Sequence, residues 1–400
     1  MRGFGRITPM VLATLAAMVC LRLRADEFND GIDRSDPKFV KASLLVFGPG
    51  DTLFACVGHC AIRLECPKFK LDNCFSCESE PIDGNWFKLL MGNMTMGMYA
   101  VPTDEFLKFY VESGRKCTQY EMNLPPEVKQ RLWKILDEKV QRGPVLHYDY
   151  IKYSCAQSIL YPILEAIRPL PIMFPAWPEK FELTRREILV LDLWECKWTS
   201  AFLHTIAGTE VDRDVSHLES VILPPDLLWL LQHSKILGQN VITDPGTVLL
   251  SYQAPGLRRY FTPMVLAGAF LALAVFDLFV RRCEIAWLFL AVQSILGLLM
   301  FHLLFISNLP ATEWNWLVIP FNPLPILLWR WRRHWARPFA VVLVAWELGM
   351  MLSPHLLTDF AYYVFVFAYV LFWGFIAADD RPAFRWMRGA ENLNENLKRK

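Results

Sequence analysis

Two residues in this chain are of types that can share a proton and attack a carbonyl: His59 and Cys155. The stretch GPGDTLFACVGHCAIRL, starting at Gly48, sets one histidine in an otherwise apolar run. Cys56, Gly58, Cys60 and Ile62 alternate with Val57, His59, Ala61 and Arg63, the pattern of a strand with two unlike faces. Further on, LHYDYIKYSCAQSILYPILEAI alternates tyrosines up to Ser154 and Cys155. After them Ile159, Leu160, Ile163, Leu164 and Ile167 recur with helical spacing. Cys155 therefore falls in the first turn of a helix, after an extended segment. Unpaired amides and the positive end of the helix dipole stabilise a thiolate there. A histidine on a neighbouring strand can move its proton. Taken singly, such a histidine is more often a core residue and such a cysteine more often half of a disulfide, so the pairing depends on the elements that carry it.

Residues 26–257 read as a mixed α/β domain. ASLLVFG and FACVGHCAIRL are expected strands, and PTDEFLKFYVESG and PPEVKQRLWKILDEKVQ expected helices, the latter with Pro126 in its first turn. Eight of the ten cysteines lie between Cys56 and Cys196. The first five, Cys56 to Cys77, have a C-x3-C-x5-C-x7-C-x2-C spacing that is not that of a zinc ribbon, so no metal is expected. Disulfides or small buried thiols are the expected use in an exported domain.

The remainder is a membrane protein by composition. Over the whole chain hydrophobic residues make up 54%, and the mean hydropathy is +0.25, with apolar residues concentrated in the last third. The net charge of +1, from 41 basic and 40 acidic residues, gives no reason to expect nucleic acid. A spanning helix needs roughly 20 largely apolar residues. Runs at 261–280, 285–306, 314–329, 339–353 and 360–378 give five expected spans within residues 258–380; Pro320, Pro323 and Pro325 mark the third as broken or re-entrant. Residues 1–25 have a basic start and a short apolar core, as in a secretion signal or short anchor. Arg281, Arg282, the run from Arg330 to Pro338 and the tail 381–400 are basic, whereas the alternate loops near Asn308 and His355 carry no Lys or Arg. The positive-inside rule then puts the tail inside and the 26–257 domain outside, with Arg258 and Arg259 dissenting. His302, Asn308, Thr312, Glu313, Asn315 and Asn322 gather around one external loop, and polar groups at such depth are functional candidates.

These segments resemble one family, the Lnb-type bacterial lipoprotein N-acyltransferases. GPGDTLFACVGHCAIRL is similar to its GPGD…GH-x-A-x-R signature, and YDYIKYSCAQSI to its nucleophile segment, Y-D-Y-(x)3-N-C-(x)-T-R. LLMGNMTMGMYAVPTDEFLKFYVESGRKCTQYEMNLPPEVKQRL resembles the middle of the family's exported domain. SNLPATEWNWLVIPFNPLPILL resembles its membrane signature, in which A-T-x-x-N leads to N-P-L. Ser154 stands where Asn is common, and Ala156-Gln157-Ser158 replaces the Thr-Arg ending.

The resemblance implies an α/β exported domain of permuted papain-like (NlpC-type) fold, followed by an all-α membrane domain of about five helices. It implies Cys155 as nucleophile and His59 as base, with a third polar group from the strand KLDNCFSCE: Asn73, or else Asp72 or Ser76. Asn315 and Asn322 match the membrane signature and, with His302, are the expected substrate positions. The donor would be a phospholipid and the acceptor the N-terminal amine of a diacylated apolipoprotein, with no cofactor, in the bacterial inner membrane with the domain periplasmic and the C-terminus cytoplasmic. A multi-span base suits a lipid ester better than a soluble wall substrate. Rival readings are a membrane-anchored cysteine hydrolase of the same fold (amidase, peptidase or phospholipase) and a non-catalytic envelope assembly module.

Overall fold

The computed structural model describes residues 40–50, 55–82, 84–144, 146–147, 149, 154–252, 261–280, 283–353 and 359–378. The expected signal, the basic tail, Arg258, Arg259, Arg281, Arg282, the loop around His355 and the tyrosine run 150–153 lie outside these residues.

The exported part is built on antiparallel strands. In chain order they are β1 (Lys41–Phe47), β2 (His59–Cys66), β3 (Leu71–Ser79), β4 (Thr95–Pro102), β5 (Cys117–Glu121), β6 (Leu146–His147), β7 (Ile172–Met173), β8 (Lys235–Ile236), β9 (Gln239–Asn240) and β10 (Thr247–Leu250). One seven-stranded sheet runs β10-β5-β1-β2-β3-β4-β6; β7, β8 and β9 form a second, small one. The helices are α1 (Trp86–Leu90), α2 (Thr103–Glu112), α3 (Pro126–Arg142), α4 (Cys155–Ile167), α5 (Arg185–Asp192), α6 (Lys197–Ile206) and α7 (Pro224–His233).

Strand parity decides what each face carries. Cys60, Ile62 and Leu64 of β2 join the main core with Leu132 and Leu136 of α3 and Ile159, Ile163 and Ile167 of α4. Burial of each large aliphatic side chain there contributes about 1.5–3 kcal/mol. Ala61 faces the other way, with Phe47, Cys74 and the α2 residues Phe106 and Tyr110.

β2 is shorter than the alternation suggests. Residues Ala55–Val57 form a single tight turn, and the strand begins at His59. Gly58 separates them at φ +84, where a Cβ would meet the Phe47 carbonyl oxygen at 2.7 Å. Only glycine takes that bend without strain. His59 is thus the first residue of its strand, at the sheet's end.

Four described helices are long and apolar enough to cross a membrane: Pro263–Val280 (α8), Glu284–Phe305 within α9 (Cys283–Phe305), His334–Leu352 within α11 (Arg332–Leu352) and Phe360–Ala378 (α12). The expected third span is not a spanning helix. Between Asn315 and Trp329 the chain makes a short turn, Trp316–Val318, and the four-residue α10 (Leu324–Leu327). Pro320, Pro323 and Pro325 cannot donate to a helical ladder. The freed carbonyl of Pro320 accepts from Gln293 Nε2 of α9 at 2.8 Å, and Trp373 Nε1 of α12 donates to Gln293 Oε1 at 3.2 Å. Irregular backbone at this depth is tolerated because a neighbouring helix satisfies it. The segment still runs the length of the bundle. Asn315 touches the exported domain at one end, and at the other the Trp329 ring lies 6.0 Å from that of Trp287, near the start of α9.

The two parts are joined by backbone contacts. Gly208 N–H donates to the Ala311 carbonyl at 2.7 Å, Thr209 N–H to Glu313 at 3.1 Å, and Asn308 N–H to Met91 at 3.0 Å.

Candidate functional site

Cys155 opens α4. Ser154 caps the helix, its hydroxyl accepting from the Gln157 amide at 3.2 Å. The amides of Cys155 and Ala156 have no acceptor inside the helix, so the dipole's positive end is concentrated at the thiol. α4 packs on β2 and β3, and this brings Cys155 to the end of the sheet where β2 begins. The thiol interacts there with the Cys60 thiol and the His59 imidazole.

His59 is held from its other side. Its Nε2 lies 2.7 Å from Ser76 Oγ and 3.1 Å from Glu78 Oε1, and Ser76 Oγ in turn donates to Glu78 Oε1 at 2.6 Å. Tyr110 flanks the imidazole with its ring nearly parallel, centroids 6.4 Å apart.

This arrangement separates charge. Burial works against a charged His59, but the Glu78 carboxylate, then Cys155, outweigh it and raise the imidazole to about 10. The Cys60 contact, set against burial and aided by His59, holds the Cys155 thiol well below its ordinary 9.0. Cys60 itself is pushed well above that value by burial, so it stays a neutral donor toward the thiolate. Both shifts favour an imidazolium–thiolate pair, the form in which a cysteine attacks carbonyl carbon.

The third group differs from the expected one. Asn73 pairs with Leu64 and Pro102 in the ladder, so parity turns it to the face opposite His59. Asp72 is engaged elsewhere: Arg63 donates to both its oxygens at 2.8 and 2.6 Å, and Thr103 also donates to it. Ser76, the remaining alternative, is beside His59. Glu78 was not singled out in the sequence, although a signal existed. The Pro67–Lys70 turn pairs Cys66 with Leu71, and counting back along both strands sets His59 across from Glu78.

Arg115 was also missed. It is 7% exposed, its Nε donates to the Gly48 carbonyl at 2.8 Å, and its guanidinium lies 4.9 Å from the Tyr110 ring centre. It thereby braces the GPG loop against the aromatic wall of His59. Gln157 is committed structurally, donating to the Glu219 carbonyl at 2.7 Å.

The membrane positions do not converge on Cys155. His302 Nε2 lies 3.3 Å from the Leu90 carbonyl, Asn315 Nδ2 donates to the Thr205 carbonyl at 2.7 Å, and Asn322 Nδ2 to the Ile319 carbonyl at 2.8 Å. The first two tie the membrane bundle to α1 and α6, and the third braces the broken traverse. No cluster of three or more His, Cys, Asp or Glu able to hold a metal occurs among the described residues.

The path from the site to the bundle is short. Cys56, three residues before His59, has its Sγ 3.0 Å from Thr199 Oγ1 of α6. On the same helix Trp198 Nε1 donates to the Phe261 carbonyl at 2.8 Å, two residues before α8. Trp86, Phe87, Trp194, Trp198, Phe261 and Trp314 are exposed; Trp198 and Phe261 stand where aromatic side chains gather at a bilayer interface.

Residues 27–178 match the family model described as the Lnb N-terminal periplasmic domain, a stretch that includes His59, Glu78 and Cys155. No curated protein and no solved structure matches the chain.

Proposed function

We propose that this chain, whose residues 27–178 match the model of the Lnb N-terminal periplasmic domain, is a membrane-bound acyltransferase of lipoprotein maturation. It moves a fatty acyl chain from a phospholipid, through a thioester on Cys155, to the N-terminal amine of a diacylated apolipoprotein. The observation that carries this reading is the Cys155 thiol lowered beside a His59 imidazolium, three residues from a contact with the helix docked on the membrane bundle. The permuted papain-like arrangement is supported by chain order, with the histidine strand β2 before the cysteine helix α4.

In this mechanism the Cys155 thiolate adds to the ester carbonyl carbon. The first-turn amides of α4 face the developing oxyanion. The intermediate collapses, and His59 gives its proton to the departing lysophospholipid oxygen. The acceptor amine then adds to the thioester, His59 takes its proton, and the Cys155 thiolate leaves as the amide forms. Glu78 and Ser76 hold the imidazole throughout as positioning residues. His302 and Asn315 serve the same reaction by fixing the exported domain on the bundle, and Asn322 by shaping the traverse beside it. The protein sits in the bacterial inner membrane, domain outside and C-terminus inside.

The test is a two-stage incubation. With phospholipid alone, the protein gains the mass of one acyl chain, hydroxylamine removes it, and Cys155→Ala does not acquire it. A diacylated lipopeptide with a free amine discharges the adduct to an amide, and one with a blocked amine does not. Discharge to water alone assigns the chain to the hydrolases. Absence of any adduct, together with lipoprotein triacylation in cells by Cys155→Ala, overturns the catalytic reading.

A further inference from the structure

Among the described side chains, three cysteines are half-buried: Cys56, Cys155 and Cys196. Cys60, Cys66, Cys74, Cys77 and Cys117 are buried, and burial raises the proton affinity of each. Such thiols are inert. An exported domain works among oxidants, so the half-buried thiols are the ones at risk.

Cys56 and Cys196 lie together. The Cys196 thiol donates to the carbonyl of Cys56 at 3.3 Å. Cys56 Sγ in turn is 3.0 Å from Thr199 Oγ1, one turn along the helix that Cys196 caps. Contact with Cys196 also lowers the Cys56 thiol, which makes Cys56 the readier thiolate of the two. Their elements differ in kind. Cys56 sits in the tight turn that launches the His59 strand. Cys196 precedes α6, which is anchored to the bundle where Asn315 donates to the Thr205 carbonyl and Tyr362 Oη to the Ala201 carbonyl at 2.8 Å.

We propose that Cys56 and Cys196 are a disulfide site, joined in the exported protein, which fastens the His59 turn to the membrane-docking helix. The co-reactant is the disulfide of a dithiol oxidase. The Cys56 thiolate attacks one of its sulfurs, forming a mixed disulfide and releasing the oxidase's other sulfur as a thiolate. Cys196, deprotonated, then attacks Cys56 Sγ, and the oxidase leaves as a dithiol holding the two protons that the cysteines lost. Two electrons pass from the cysteine pair to the oxidase. Cys155 stays reduced because its neighbour Cys60 is held protonated by burial and cannot act as the second nucleophile. Pairing Cys56 with Cys196 also removes the two other half-buried thiols that could trap Cys155. The inference rests on the exterior placement of the domain and is independent of the acyl-transfer reading.

The test uses the full chain, expressed in a host with an oxidising envelope and purified in detergent without reductant. It is denatured, alkylated and mapped by peptide mass. The expected result is a linked Cys56–Cys196 peptide pair, two hydrogens lighter than the separate thiols, with Cys155 alkylated. After reduction both cysteines take the label. Cys56→Ser frees Cys196 for alkylation, and Cys196→Ser frees Cys56. Reductant lowers the thermal inactivation midpoint of the wild type and leaves that of the Cys56→Ser/Cys196→Ser double variant unchanged. Alkylation of both residues in unreduced wild type, or linkage of either to another cysteine, overturns the assignment whatever the acyl-adduct experiment shows.

Discussion

The Glu78 carboxylate lies 3.1 Å from Nε2 of His59, the same nitrogen that Ser76 meets at 2.7 Å. A carboxylate here does more than orient the ring. It raises the imidazole to about 10 despite burial, so His59 remains charged through neutral pH and supports the Cys155 thiolate. Glu78→Gln keeps a polar group at the position and removes the charge. The rate of Cys155 alkylation against pH then shows the effect. In the wild type, alkylation is expected to be established well below pH 9.0, because the charged imidazole favours the thiolate. In Glu78→Gln that rising limb moves up by roughly 1–3 pH units. An unmoved limb would show that Glu78 does not set the charge of His59.

The same raised value fixes a stability trend. A group with a higher proton affinity folded than unfolded stabilises the fold below its unfolded value, here 6.5, and loses that contribution as pH rises through its folded value, about 10. The wild type therefore loses stability between these values relative to His59→Ala, which has no such group. Thermal midpoints of the two proteins, measured from pH 6 to 10 (roughly the window set by this linkage), converge toward the alkaline end. Parallel curves would contradict the pairing.

His59→Ala removes the proton carrier while leaving Cys155 at the helix end. The expected cost is about 10²–10⁴-fold in the rate of acyl-adduct formation. Stopped-time mass spectrometry of the adduct measures it. A loss below tenfold would leave His59 as a packing residue against Phe47 and Tyr110.

Much of this site was legible in the residues, because the relevant signals are local. The extended segment followed by helical spacing from Ile159 to Ile167 put Cys155 at a helix start, and the structure has α4 begin at that residue. Asn73 failed for a reason that parity makes plain. Its choice relied on which strand follows β2 and ignored which face each residue takes, and a shift of one residue reverses the face. Glu78 needed the register of the β2–β3 hairpin, which follows from its turn. The early start assigned to β2 failed at Gly58, where alternation of residue types continued but the backbone turned to positive φ. No pattern within the sequence indicates the contact between Cys56 and α6, because its partners are 143 residues apart.

The joint between domain and bundle has positions with no room for a side chain, Gly208 among them. At Gly208 a Cβ would lie 1.8 Å from the Glu313 carbonyl oxygen. Gly208→Ala therefore displaces residues 311–313 and breaks the Gly208–Ala311 hydrogen bond, at a cost of about 1–3 kcal/mol. The nucleophile lies on other elements, so Cys155 alkylation should change little. Acyl-adduct formation from membrane phospholipid should fall, because the domain is no longer seated. Equal loss of both would point to unfolding of the domain instead, which a Gly143→Ala control helps to separate: its φ of +73 strains the domain, but no neighbour lies within 4 Å of a Cβ there.

The broken traverse makes the topology testable. Four spanning helices alone would return the C-terminus to the side on which the exported domain lies. We propose that the chain between Asn315 and Trp329 adds a fifth crossing without a spanning helix. Its start is bonded to α6 of the exported domain, and Phe321 packs against Phe365 with ring centres 5.6 Å apart. Its end lies against Trp287, and Trp329 and Trp335 both meet Trp373, five residues from the last described residue of α12. This direction of travel puts Arg330 and Arg332 at the end of the bundle away from the domain, as the positive-inside rule asks of basic residues. A reporter enzyme active only outside the cytoplasm, fused after Lys400, is therefore expected to be silent, and a fluorescent protein that matures only in the cytoplasm to be bright. The reverse pair of results would mean that the proline-rich segment dips into the bilayer and returns. It would also place the basic run from Arg330 on the outer face.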